Sequence, residues 1–184
     1  MSQGDSLLPP PAPGLDEPLE MLHACHGRVR DQLGTLIRLA DWLPQHAADE
    51  PARRAARAVM RYFDLAAVHH HRDEEEDLLP AMREAVGAEG RERLAALDAR
   101  LRREHAELES AWRVLREPLA RIAGGEAAPL DAGRVRDFAD AYETHIRLEE
   151  DALLPWAARV LGEAAVAAMS RAMTARRTVT APAD

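Results

Sequence analysis

The chain has 184 residues, a length that suits one domain with a real core. It is rich in Ala, Leu, Arg and Glu, with aromatics at only 4%, a mix that favours helix and is poor in strand formers. A formal net charge of −8 argues against a nucleic-acid or anionic-membrane surface, and no stretch reaches the ~20 apolar residues of a membrane span.

Residues 1–15, MSQGDSLLPPPAPGL, cannot be helix between Pro9 and Pro13 and read as a disordered, Pro-rich arm. They lack a basic segment followed by an apolar run, so they do not read as a secretory signal. Asp16 is the expected N-cap of a first helix, with Glu17 and Pro18 in its first turn. Leu19, Leu22, His26, Val29, Leu33, Leu36, Ile37 and Ala40 recur at helical spacing up to Leu43, before Pro44. The lone cysteine, Cys25, permits no intrachain disulfide and fits a reducing, cytoplasmic setting.

Asp49-Glu50-Pro51 signals a second helix start. Ala55, Val59, Tyr62, Phe63, Ala66 and His70 share one face of that helix, which runs to about Val86 with a kink or early end expected at Pro80. Gly87 and Gly90 mark a turn. A third helix spans about 91–122, with Leu94, Leu97, Leu101, His105, Leu108, Trp112 and Leu115 facing inward. Gly124-Gly125 breaks it, and Asp131 caps a fourth helix running to about Leu161. A short amphipathic helix follows over about 163–176, and residues 179–184 read as a frayed tail. The expected architecture is all-α: an up-down-up-down four-helix bundle over 16–178 with a short extra C-terminal helix. A long coiled coil is the alternative, and the Gly and Pro breaks argue against it.

A shift of 75 residues superimposes FDLAAVHHHRDEEEDLLPAMREAVG, from Phe63, on FADAYETHIRLEEDALLPWAARVLG, from Phe138. Ten of the 25 positions are identical, including His70/His145, Glu74/Glu149, Glu75/Glu150, Pro80/Pro155 and Gly87/Gly162. Shared helical propensity would not reproduce His, paired Glu and Pro in one register. His26 of the first helix corresponds to His105 of the third, so the chain reads as two similar helical hairpins.

His70 and Glu74 are four residues apart, as are His145 and Glu149, which stacks each pair on one helix face. His26 and His105 lie on apolar faces of the other helices. A single core histidine is usually a hydrogen-bonded side chain; four in register with two His-x3-Glu pairs point to metal. Burying two carboxylates without partners would cost several kcal/mol or more per charge, and two multivalent cations would remove that cost. Mixed imidazole and carboxylate donors suit iron or manganese better than a structural zinc.

Here the chain resembles the hemerythrin-like, HHE cation-binding family. The resemblance covers about 18–162 and rests on His26, on HHRDEEEDLLP from His70, on His105 and on HIRLEEDALLP from His145. It implies a hemerythrin-like bundle in which His26, His70, His105 and His145 are terminal ligands and Glu74 and Glu149 bridge two non-haem iron ions, oxo- or hydroxo-bridged, with manganese the second choice. The oxygen-carrying members have five histidines, two of them four apart on the third helix; here the positions four from His105 are Leu101 and Glu109. Their fourth-helix carboxylate also falls one residue later, where this chain has Glu150. Four imidazoles and two bridging carboxylates supply four bonds per metal, so an octahedral ion keeps about two places open. His71, Glu75 or Glu109 could fill one.

The resemblance implies a protein that binds O2, NO or peroxide and senses, stores or scavenges oxygen or iron, rather than a dedicated enzyme. The alternative is a di-iron enzyme for peroxide reduction or for repair of damaged iron–sulfur centres; a third reading is a structural bundle with a vestigial site. Asp73, Glu76 and Asp77 read as a solvated face, His69 and His71 as supporting or surface groups, and Cys25 as a small buried residue. Trp112 and Trp156 read as packing groups. Tyr62 and Tyr142 are placed to donate hydrogen bonds near the centre.

Overall fold

The computed structural model describes residues 14–180, and the expectations for most of the Pro-rich arm and for residues 181–184 lie outside them. The described residues are helical, with no strand among them. Helix α1 is Pro18–His46. A second rod, residues 50–85, joins α2 (Glu50–Arg61), α3 (Ala67–Arg72) and α4 (Leu79–Ala85) through π-helical turns at Tyr62–Ala66 and Asp73–Leu78. Helix α5 is Ala88–Ala123. A fourth rod, Ala132–Val160, joins α6 (Ala132–Leu148) and α7 (Leu154–Val160) through a π turn at Glu149–Leu153. Helix α8, Glu163–Thr180, is the extra helix and outlasts its expected end at 176.

The boundaries follow local chemistry. Asp49 caps α2 by accepting from the backbone N–H of Ala52 at 2.9 Å. Asp131 caps α6 by accepting from Gly133 N–H at 2.8 Å and Arg134 N–H at 3.1 Å. The expected cap at Asp16 is corrected: α1 starts after Glu17, which makes no side-chain cap bond, with Pro18 as its first residue. Pro44 does not end α1; the helix runs on to His46 and stops at Ala47, whose φ of 51° is left-handed. Gly90 lies inside α5, and Gly125 (φ 91°) turns the chain after it.

Pro80 does not end its rod, which runs on to Ala85. A proline lacks the N–H that would bond to the carbonyl four residues back and crowds that carbonyl. The π turn ahead of it changes the ladder first, with Leu79 N–H bonding to Glu74 C=O five residues back. Pro155 follows the same device, with Leu154 N–H bonding to Glu149 C=O. The earlier π turn is closed by Ala67 N–H on Tyr62 C=O. Ala66 is exposed and Ala67 is the core residue, four from Phe63 and three from His70, a correction to the residue read from sequence.

The apolar interior is in two parts. One holds Val29 to Ala40, Ala52 to Ala67, Leu108 to Ile122 and Val135 to Ile146. The other holds Met21 to Cys25, Leu78 to Val86, Leu94, Leu101, Leu153 to Ala157, and Met169 and Met173 of α8. Each long rod crosses from one part to the other, and consecutive rods cross in opposite order. The crossing points are where His26, His70, Glu74, His105, His145 and Glu149 lie, none more than 5% exposed.

Candidate metal centre

The polar layer between the two apolar parts contains the six residues singled out from the sequence, and their ligating atoms converge. Glu149, fully buried, sets Oε1 2.7 Å from His145 Nε2 and 3.8 Å from His105 Nε2. Its Oε2 is 2.9 Å from His26 Nε2 and 3.8 Å from His70 Nε2. Glu74 behaves alike, with Oε1 3.5 Å from His70 Nε2 and Oε2 3.4 Å from His105 Nε2. Each carboxylate thus spans two imidazole pairs, His26 with His70 and His105 with His145.

The spacing tests whether these residues fit a metal. Two donors at right angles, each ~2.1 Å from an ion, are about 3 Å apart. The Nε2 atoms of His105 and His145 are 3.1 Å apart. Both oxygens of Glu74, both of Glu149 and Nε2 of His26 are buried without a well-formed hydrogen bond. Five such atoms in one place are costly unless a cation accepts their lone pairs. The donors could hold ions in two overlapping groups, His26, His70, Glu74 and Glu149, and Glu74, His105, His145 and Glu149.

Charge in the ion-free cluster follows from the same contacts. Burial raises the Glu149 carboxyl, but the imidazoles of His105, His145, His26 and His70 outweigh it and hold it well below its usual range. Burial lowers His105, and Glu149 and Glu74 reverse that, pushing it up to about 10. His70 is likewise raised, by Glu74 against burial, and His145 by Glu149 against burial.

Behind the inner atoms lies a set of Nδ1 partners. His26 Nδ1 meets Glu150 Oε1 at 3.0 Å, His105 Nδ1 meets Glu75 Oε1 at 2.7 Å, and His145 Nδ1 meets Glu104 Oε2 at 3.0 Å. Such bonds fix the ring and turn Nε2 inward. Glu75 and Glu150 are repeat equivalents that each reach the first histidine of the other hairpin. Neither is among the groups whose atoms converge on the centre; each is engaged by a ring Nδ1 and an arginine. Arg30 holds Glu150 through two bonds of 2.9 and 3.0 Å, and Arg102 holds Glu75 at 2.6 Å.

Glu104 was not singled out in the sequence. The available signal was its place one residue before His105, where the other hairpin has Cys25 before His26. Cys25 is buried and interacts with His70, which draws its thiol below the usual value with Arg28 despite burial. Tyr62 O–H donates to the Cys25 carbonyl at 3.3 Å, one residue from His26. Tyr142 is core, its ring centre 6.5 Å from that of His145. Trp112 packs between the rods and donates to Asp64 at 3.0 Å, while Trp156 carries Arg93 over its ring. Glu109 is exposed and paired with Arg113.

Two sequence expectations need correction. Asp73 is fully buried rather than solvated, because α8 folds back and Arg177 Nη2 meets it at 2.6 Å, with Arg176 also in contact. Asp77 shares Arg176 at 2.8 Å. Their partners lie about a hundred residues away in sequence, so the acidic run alone could not reveal them. His69 is likewise buried, not a surface group.

The described residues form an all-helical protein with a buried His/Glu cluster able to hold cations, its members drawn from all four long rods. The chain belongs to the hemerythrin family, the hemerythrin HHE cation-binding domain, which it matches over residues 17–157. It is also similar to a protein of Haemophilus influenzae named only as uncharacterized, with 29% identity over 164 residues, 89% of this chain and 92% of that one. No single helix among the described residues is long and apolar enough to cross a membrane.

Proposed function

We propose that the chain is a non-haem di-iron protein that binds O2, NO or peroxide and serves in oxygen or iron sensing, storage or scavenging. His26 and His70 would hold one iron and His105 and His145 the other, with Glu74 and Glu149 bridging. The observation that carries this is the placement of Glu149, one oxygen within 2.9 Å of His26 and the other within 2.7 Å of His145. Glu74 repeats the span between His70 and His105. The alternating order in which the rods cross the two apolar parts supports an up-down-up-down bundle around the pair.

Iron held by these residues would supply redox chemistry and places for a small ligand. The chain does the rest. Glu74 and Glu149 neutralise cationic charge, Glu75, Glu104 and Glu150 fix the imidazoles from behind, and the apolar walls on either side limit water. The free thiol of Cys25 supports work in a reducing, cytoplasmic setting.

Metal analysis with an optical spectrum, on protein purified without air and then exposed to O2 or NO, tests this. One iron pair per chain, with visible absorption that responds to either gas, is the expected result. A single tightly bound zinc, or no metal, would remove the proposal.

A further inference from the structure

A fifth imidazole lies against the cluster, on the same rod as His70 but one residue later. The His71 ring stacks on that of His105, with centres 3.9 Å apart and planes 9° from parallel. Its centre is 5.8 Å from that of His145. Nitrogens of His71, His105 and His145 lie within 4.8 Å of one another, a third group able to hold an ion. His71 Nε2 is shut off from solvent and has no hydrogen-bond partner. A buried ring nitrogen without a partner is costly, and a neighbouring metal would satisfy it.

The repeat makes the position informative. The 75-residue shift sets His71 opposite Ile146, which is 1% exposed and part of the apolar core. One hairpin therefore fills this place with hydrocarbon and the other with a donor. Beside His71 and His105 a cavity of about 420 Å³ opens between the second rod and α5, walled in part by Val68, Arg102 and Glu109.

We propose that His71 is a further protein ligand, giving a ring-nitrogen lone pair to the metal held by His105 and His145. The inference rests on the two-metal site proposed above. It makes the pair unequal: one metal has three imidazoles and one open place, and the other has two imidazoles and two open places.

The test compares wild type with His71→Ile, which copies the other hairpin, and His71→Gln, which keeps a polar group without an imidazole. Each is loaded with Fe(II) without air, and imidazoles per metal are counted by X-ray absorption. Metal affinity is measured by chelator competition, with and without free imidazole, and helix content is followed by circular dichroism. The expected result is one imidazole fewer per pair in either variant that folds, and one metal bound about tenfold or more weakly, the scale on which even supporting groups around a metal act. Free imidazole entering through the cavity should restore both. An unchanged imidazole count and affinity in variants that still load two metals would overturn the role of His71 alone. Failure of wild type to load a metal pair would instead overturn the two-metal site, and this inference with it.

Discussion

His26 of α1 and Glu149 of the fourth rod meet at 2.9 Å with both side chains fully shielded from solvent. Because the other oxygen of Glu149 belongs to His145, this one carboxylate ties the first hairpin to the second. Glu149→Ala should therefore lose both metals, whereas His70→Ala should keep at most one. Metal content after gel filtration reads this directly. Full loading of Glu149→Ala would remove it as a bridge. Both variants should stay largely helical, since the imidazoles left behind can shed their protons.

Metal uptake should release protons. In the ion-free protein His105 is pushed up to about 10, burial opposing and Glu149 and Glu74 prevailing, and His70 and His145 are also raised. Ions displace those protons, so affinity should tighten as pH rises from neutral. The ion-free protein should do the opposite. A raised imidazole contributes its full stability below its ordinary value of 6.5 and loses it as pH climbs through about 10. Calorimetry in buffers of different ionisation enthalpy reads the protons, and melting curves across that range read the stability. Binding heats independent of buffer would contradict the charge state drawn here.

Glu75→Gln and Glu150→Gln should each weaken metal binding by about 10–100-fold without lowering stoichiometry at saturation. Glu150 has a second signature. The Arg30 bonds hold its carboxyl down to about 2, against burial and with help from His26. Its stabilisation is complete above the ordinary value of 4.5 and disappears as pH falls toward about 2, so Glu150→Gln should flatten the acid limb of the stability curve. Acid titrations that superimpose would show that Arg30 contributes little there.

The contact of α8 with Asp73 should matter to stability. Removing both Arg176 and Arg177 as leucines leaves a buried carboxylate without a counter-charge, at a cost of about 3–5 kcal/mol in urea unfolding. Arg177→Leu alone should cost less, because Arg176 still reaches Asp73. Adding Asp73→Leu to the double variant should recover much of the loss, since an apolar layer can replace a buried ionic one. No recovery would mean that α8 is held mainly by Met169 and Met173, both in the core.

What was legible in the sequence was what repeats. His70 with Glu74 and His145 with Glu149 stand in one register, and His26 with His105 complete the set, so the inner cluster could be drawn before the fold. The paired second glutamates, Glu75 and Glu150, carried the same signal, but spacing cannot say whether a carboxylate faces a metal or the back of a ring. The exchange of Ala67 for Ala66 was hidden because both alanines lie at helical spacing from Phe63 and His70, and spacing alone cannot choose between them. Asp73 was misread for a different reason: its burial depends on arginines in α8, and local charge patterns hold no record of so distant a partner.

The division of the apolar interior has a consequence for how the molecule melts. Each lobe of core is built from segments of all four long rods, so the lobes are stacked along the rods rather than assigned one to each hairpin. Without cations the layer joining them is a seam of imidazoles and carboxylates with little apolar adhesion. The lobe between Val29 and Ile146 and the lobe around Leu78, Leu101 and Leu153 are then free to open at different temperatures. Filled with metal, the seam would tie the lobes together, and the two should unfold as a single cooperative unit.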